Sequence, residues 1–102
     1  MATDSTLEID TYVLDTLLPD LVGHDRRPAS FLVYLYLWRR TCADGKERES
    51  ISLREVSEGT GLSKRAVQSA LNSLVGRELI RVERESITAV ACYEVRRPWR
   101  RD

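Results

Sequence analysis

The stretch that decides the fold is ISLREVSEGTGLSKRAVQSALNSLVGRELIRVERESITAVACYEV, from Ile51 to Val95. It opens with Ser52 and Glu55 in S-x-x-E spacing, the pattern of a capping box. The serine side chain satisfies one free N–H of the first helical turn, and the glutamate carboxylate satisfies another. We expect the helix that begins here to end near Thr60, because glycines on both sides of that residue disfavour continuation.

A second helix is predicted directly after this one. Gly61 permits the left-handed backbone of a tight turn, Leu62 is placed to fill the corner between the helices, and Ser63 is a good N-cap. The predicted helix covers Lys64–Gly76. Its apolar residues recur at helical spacing, which indicates one buried stripe: Val67, Ala70, Leu71, Leu74 and Val75.

The opposite face of the second helix carries side chains that can donate hydrogen bonds, and no carboxylate. These residues are Lys64, Arg65, Gln68, Ser69, Asn72 and Ser73. Lys and Arg pair with guanine edges in the major groove of DNA, and Asn and Gln pair with adenine edges. An ordinary solvated face is the alternative, but such faces commonly mix Glu with Lys. We therefore predict DNA contact by Ser63, Lys64, Arg65, Gln68, Ser69 and Asn72.

This segment resembles the winged helix-turn-helix superfamily of bacterial DNA-binding regulators, over a little under half of the chain. The resemblance is carried by Val56, Gly61-Leu62-Ser63, Val67, Leu71, Leu74 and Leu79-Ile80. It implies that Lys64–Gly76 is the recognition helix and that a β-hairpin wing follows. One departure is Glu78, where a glycine often precedes the Leu-Ile pair. A left-handed backbone there costs roughly 1 kcal/mol or more for a non-glycine residue, unless Gly76 ends the helix earlier.

The expected wing pairs about Leu79–Arg84 with Ile87–Val95, with the turn at residues 85–86. Ile80 and Val82 alternate with charged residues, as in a half-buried strand. Arg81 and Arg84 are candidates for phosphate or minor-groove contact. Glu83 and Glu85 argue against deep insertion of the tip, because carboxylates repel phosphates.

Two helices are predicted before this segment. The first is a short one over 11–18 that Pro19 would end, with Leu14, Leu17, Leu18 and Leu21 on one side. The second begins at Pro28 and runs to about Cys42, around FLVYLYLW at Phe31–Trp38. A central strand is the rival interpretation of this run. A helix that is apolar all round needs covering on several sides, either by the rest of the domain or by a second subunit. We predict a homodimer formed through these two helices.

The charge is unevenly distributed on a chain of zero net charge. Residues 1–25 hold six Asp or Glu and no Lys or Arg, whereas residues 63–101 hold nine Lys or Arg against four Glu. The basic tail RRPWRR, with Arg96, Arg97, Arg100 and Arg101, could clamp phosphates. Alternatively, Trp99 docks on the body or on a partner while the arginines stay solvated.

No feature of the sequence predicts an enzyme. Glycine-rich phosphate loops and Cys/His metal spacings are missing, and His24 is predicted to lie in a loop without ligand partners. We expect no metal and no cofactor. Cys42 and Cys92 are interpreted as reduced thiols. No apolar run reaches the roughly 20 residues that span a bilayer, so a cytoplasmic, nucleoid-associated location without a membrane is expected.

The predicted fold is a single mainly α domain over 1–102, a winged helix-turn-helix of about four helices plus a two-stranded wing. Its parts are a helical extension (1–27), an apolar helix and loop (28–50), the helix-turn-helix and wing (51–95) and a basic tail (96–102). The predicted function is sequence-specific binding of double-stranded DNA by a homodimeric transcriptional regulator. The alternatives are a protein–protein interaction module, or a plasmid or phage replication or accessory protein.

Overall fold

A computed structural model describes residues 5–100 of the chain. This part is mainly helical, with four helices and a small three-stranded antiparallel sheet. An N-terminal helical segment over 11–24 is followed by α1 (Pro28–Arg40), α2 (Leu53–Thr60) and α3 (Lys64–Gly76). The strands are β1 (Glu49–Ser50), β2 (Ile80–Glu83) and β3 (Cys92–Val95). No helix within the described range is long and apolar enough to cross a membrane.

The N-terminal helical segment continues through Pro19, so the prediction that this proline ends the helix was wrong. The segment contains two π-helical stretches, Val13–Leu17 and Asp20–His24, on either side of the proline. A proline ring clashes with the carbonyl of the preceding turn and offers no N–H. Here the wider π turns, which are rare and occur mostly as single-turn bulges inside helices, lie on both sides of this interruption.

Only part of the predicted apolar side of this segment faces the core. Leu17 and Leu21 are buried together with Val13, whereas Leu14 and Leu18 are exposed. The wider π turns change the angle between successive side chains, so spacing rules for an α-helix misplace some of them.

The apolar run at Phe31–Trp38 is helical, as predicted, and α1 has Pro28 at its first position. The same chain covers most of this run, so the structure removes much of the reason for expecting a partner on this helix. The run's buried residues are Phe31, Val33, Tyr34, Leu37 and Trp38. Leu32 remains 45% exposed.

Both predicted N-caps of the helix pair are confirmed. The Ser52 hydroxyl accepts from the Glu55 N–H at 3.0 Å, and the Glu55 carboxylate accepts from the Ser52 N–H at 3.0 Å. The Ser63 hydroxyl accepts from the Ala66 N–H at 3.1 Å. Gly61 takes the left-handed backbone, at φ 80°, that the turn requires.

Glu78, two residues after the end of α3, takes the left-handed backbone conformation, at φ 58°. The Leu79 N–H donates to the Leu74 carbonyl at 2.9 Å, which is the long-range bond of a Schellman-type helix end. The winged-helix pattern often has a glycine at this position, and Glu78 takes the left-handed conformation that a glycine would adopt without strain.

The sheet has three strands in the order β1-β3-β2, not two. The added strand, β1, is only two residues long and pairs with the start of β3. The hairpin between β2 and β3 is shorter than predicted, since residues 84–91 form a loop in which Ile87 is 93% exposed. Ile80 is buried as expected, whereas Val82 lies beyond the core and is exposed.

Candidate nucleic-acid interface

The inner face of α3 fixes how this helix sits on the domain. Its buried residues pack mainly against α1 and also contact α2 and β2. They are Val67, Ala70, Leu71 and Leu74, four of the five residues of the predicted stripe. Val75, the fifth, is exposed. With one face packed and both ends capped, the outer face of α3 is held in a fixed orientation.

The outer face of α3 is open to solvent. All six residues predicted to contact DNA at this helix and its cap are exposed: Ser63, Lys64, Arg65, Gln68, Ser69 and Asn72. α3 contains no acidic residue. Within residues 5–100, the side chains of Lys64, Arg65, Gln68 and Asn72 have no hydrogen-bond or ion-pair partner. Their donors are therefore available to an external ligand.

The two serines of this face differ from the other four residues because each already has a partner. Ser63 is the N-cap of α3, so its oxygen accepts a bond from the helix itself. The Ser69 hydroxyl accepts from the Arg27 guanidinium at 3.3 Å. The predicted face is therefore split into four unpartnered side chains and two with structural roles.

Arg84 joins the outer face of α3. A cleft of about 260 Å³ between α3 and the hairpin is lined by Gln68 and Asn72 from the helix and by Arg84 from the start of the 84–91 loop. Its apolar part is formed by Leu71, Val75, Val82 and Tyr93, of which the two valines are exposed. A guanidinium, two carboxamides and an apolar floor thus face one groove.

Arg81 is not brought to this groove. It lies directly opposite Glu94 in the β2–β3 register, and the two side chains form an ion pair at 4.0 Å. Successive side chains of a strand point to opposite faces, so Arg81 and Val82 cannot both face the cleft. Of the two arginines predicted to contact DNA from the hairpin, Arg84 lines the cleft beside α3 and Arg81 does not.

The acidic N-terminal segment is bonded to basic residues from the second half of the chain. Arg77 donates to Asp25 at 3.1 Å and also pairs with Asp20. Asp10 accepts from Arg100 at 2.7 Å, and the Arg100 bond holds the pKa of this carboxyl below its usual value. The uneven charge of the sequence is therefore partly neutralised within the fold.

The basic tail packs on the body. Trp99 stacks on Tyr12, and Arg97 lies over the ring of Trp38 with 5.7 Å between the guanidinium carbon and the ring centroid. Docking of Trp99 was one of the two sequence alternatives. That alternative also predicted that the arginines of the tail stay solvated, which is wrong for Arg100 because it bonds to Asp10. Arg101 lies outside the described residues.

His24 differs from its sequence prediction. It is helical, and its Nδ1 atom lies 2.9 Å from an Asp25 carboxylate oxygen and 3.9 Å from an Asp20 oxygen. Such a cluster has the donor set of a cation site, with ligand atoms within 4.8 Å of one another. Both carboxylates also bind Arg77, so the cluster already has its cation.

Sequence reasoning missed Arg26 and Arg27. They were assigned to a connecting loop, yet Arg27 reaches Ser69 of α3, 42 residues further along the chain. The signal that could have found them is the Arg-Arg-Pro sequence at the start of a helix, where the chain turns next to free helix N–H groups.

Comparison with known protein families, characterised proteins and solved structures finds no match to this chain.

Proposed function

We propose that this protein binds double-stranded DNA in a sequence-dependent way, with α3 in the major groove. The observation that carries the proposal is the outer face of α3. It is exposed, free of carboxylates and lined by unpartnered donors at Lys64, Arg65, Gln68 and Asn72.

The dimensions and chemistry of α3 suit this role. A helix of 13 residues is about 20 Å long, and the major groove, about 12 Å wide, admits a helix. Gln68 and Asn72 are four residues apart and therefore lie on one side of the helix. Carboxamides read adenine edges, and the Lys64 and Arg65 cations bind guanine edges or phosphates.

The order of elements supports a winged helix-turn-helix arrangement. α2 and α3 are joined by the short Gly61–Ser63 turn, and an antiparallel hairpin follows α3. In this arrangement α3 is the recognition helix and the 84–91 loop is the wing. Glu85 near its start disfavours deep insertion, so Arg84 acts at the groove edge on phosphate.

We further propose that the protein acts as a homodimer, as many helix-turn-helix regulators do to read two half-sites about one helical turn apart. An apolar stripe on the N-terminal helical segment supports this: Leu14, Leu18 and Val22 are exposed and recur every four residues. Leu32 of α1 adds an exposed apolar side chain. Sedimentation should show a dimer at micromolar concentration, and a pure monomer would remove this part of the proposal. We also propose a transcriptional role at the nucleoid, in the cytoplasm, where such a protein would meet double-stranded DNA.

The test is selection of bound duplexes from a random pool, compared between the wild type and Lys64→Glu/Arg65→Glu. Acidic residues in the first turn of a helix interact favourably with the helix dipole and stabilise the helix, so this variant should fold. The matched control is Arg39→Glu, an exposed arginine at the far end of α1. Enrichment of one sequence by the wild type and R39E, and loss of binding by the double variant, is expected. No retention of duplexes by the wild type in dilute buffer would refute the proposal.

A further inference from the structure

A second cleft opens beside α3, where α1 begins. It has a volume of about 250 Å³, and its polar lining consists of Arg26, Arg27, Ser30 and Ser69. The rest of its lining is Pro28 and small alanines. No carboxylate contributes to it, and Asp25, the nearest acid along the chain, is bonded to Arg77 and His24.

The first turn of α1 has no side-chain cap and no acidic residue. Its N-cap position is Arg27, whose side chain has no oxygen to accept a bond from the helix N–H groups, although its backbone carbonyl accepts from the Ser30 N–H at 3.0 Å. The partial positive charge of a helix N-terminus is normally offset by a capping oxygen or a carboxylate. At α1 this end instead faces the cleft, with two arginines beside it.

Ser30, in this first turn, carries the second and independent observation. It is 1% exposed, and its hydroxyl is the buried side-chain polar atom that lacks a hydrogen-bond partner within residues 5–100. Thr41, the other buried polar residue in this range, instead donates to the Leu37 carbonyl at 2.7 Å. Buried polar groups are rarely left unpaired, and an exception calls for a physical explanation such as a bound ion, a bound water, strain or a functional role.

The cleft also contacts the proposed DNA-binding face. Arg27 bonds to Ser69, and Ser69 lies one residue after Gln68 on the outer side of α3. A ligand in the cleft would therefore lie next to a DNA duplex that α3 contacts.

We propose that this cleft binds one phosphate group of the DNA backbone. The Ser30 hydroxyl and the Ala29 N–H in the first turn of α1 donate to its oxygens, and the guanidiniums of Arg26 and Arg27 neutralise its charge. Helix N-termini are established anion sites, and phosphate contacts set the register of a protein on a duplex. This assignment to DNA rests on the proposed function, whereas the anion chemistry of the cleft does not.

The test compares Ser30→Ala and Arg27→Gln with Arg39→Gln as the control. R39Q removes the charge of another exposed arginine at the other end of α1, about 18 Å away for a helix of this length. Binding to a random-sequence duplex is measured across a salt series. We expect R27Q to bind about fivefold to tenfold more weakly near 0.1 M salt and to lower the salt slope by about 0.9. S30A should lose about threefold to tenfold with little change of slope, and sequence preference should persist in both variants.

The same variants also show whether a loss of DNA binding reflects a loss of folding. S30A removes an unpaired hydroxyl, so its melting temperature in the absence of phosphate should equal or exceed that of the wild type. A lower melting temperature would mean that the hydroxyl serves the fold, which contradicts the site.

A second arm titrates inorganic phosphate into the wild type and S30A and follows the amide resonances of residues 29 and 30. If duplex binds but S30A and R27Q behave like R39Q, the phosphate site is overturned and the proposed function stands. If duplex fails to bind but phosphate shifts these amides in the wild type alone, the anion site stands with a free ligand and the DNA role is lost. If neither ligand binds, both are overturned.

Discussion

Trp99 stacks on Tyr12, with 4.5 Å between the ring centroids and 15° between the ring planes. The Trp99 indole N–H also donates to the Asp10 carboxylate at 2.8 Å. This contact joins the two ends of the described chain and explains why the acidic first quarter and the basic tail coexist in one small domain.

Replacing Trp99 by Ala should therefore destabilise the domain by about 1–3 kcal/mol, since it removes a ring stack and part of an apolar contact. Urea denaturation measures the change in the free energy of unfolding. Trp99→Phe, which keeps an aromatic ring for Tyr12 but loses the indole N–H, should recover most of the loss. A Trp99→Ala variant as stable as the wild type would show that the tail is not docked.

Asp10 should make this docking dependent on pH. The hydrogen bond from Arg100 lowers the pKa of Asp10 from 3.8, ahead of the opposing effect of burial and the further bond from Trp99. A carboxyl whose folded pKa is depressed stabilises the fold above its unfolded pKa, and this stability is lost as the pH falls through the folded value. The stability difference between the wild type and Asp10→Asn should be constant near pH 7 and shrink below about pH 4. A difference that is independent of pH would contradict the ion pair.

Much of the α2–α3 region could be predicted from local signals. Ser52, Glu55 and Ser63 act on N–H groups within three residues, and the α3 stripe follows from helical spacing, so neither requires knowledge of distant contacts. The exposed face of α3 is the complement of that stripe. For the same reason, all six residues predicted there are exposed.

The sequence predictions were wrong or incomplete where contacts between residues far apart in the chain determine the local structure. Residues 49–50 form β1 only because β3, more than 40 residues later, offers backbone partners, and two charged or polar residues have no periodicity. The Arg27–Ser69 bond and the Asp10–Arg100 pair likewise depend on tertiary packing. The predicted end of the N-terminal helix at Pro19 was wrong because local rules for proline do not anticipate π turns on either side of it.

Glu78→Gly should stabilise the protein. Glu78 occupies the left-handed region at φ 58°, which costs a non-glycine residue about 1–2 kcal/mol. Glycine relieves this strain but gains entropy in the unfolded chain, so we expect a net gain of about 0.5–1 kcal/mol. Thermal unfolding should show a higher midpoint, by about 2–8 °C for a domain of this size. The control is Glu85→Gly, in the exposed 84–91 loop with no positive φ, which should not stabilise.

Gly59→Ala should destabilise the protein although the residue is on the surface. A Cβ at this position would lie less than 3.0 Å from three atoms of the Tyr36 ring, and the Tyr36 hydroxyl is held by Arg40 at 2.6 Å. The ring can move away only by weakening that bond. Gly76→Ala is the matched control, because a Cβ there meets nothing within 4 Å and alanine favours a helix by up to about 1 kcal/mol. Opposite signs are expected in chemical denaturation, and equal effects would refute the close packing of Tyr36 on α2.

His24 should titrate above its ordinary pKa of 6.5, because Asp25 accepts a hydrogen bond from it and Asp20 adds negative charge. A raised folded pKa contributes stability that is fully present below the unfolded pKa and is lost as the pH rises through the folded value. The midpoint can be measured from the ring proton resonances. Asp25→Asn should lower it toward 6.5, whereas Asp15→Asn, at an exposed acid elsewhere on the segment, should leave it unchanged. A wild-type midpoint at or below 6.5 would contradict the contact.

The residues of the α3 groove should separate into two classes by their effect on DNA binding. Gln68→Ala or Asn72→Ala should cost about 1–3 kcal/mol on the selected sequence and much less on random duplex, because a carboxamide reads base edges. Arg84→Ala should weaken both duplexes alike and reduce the salt slope by about 0.9, because its unpaired guanidinium acts on phosphate. Arg81→Ala should have a smaller effect on the slope, since Glu94 already holds this arginine at 4.0 Å. Equal losses on both duplexes for Gln68→Ala would mean that α3 does not read the sequence, and an Arg81 effect larger than that of Arg84 would mean that the hairpin approaches DNA with its other face.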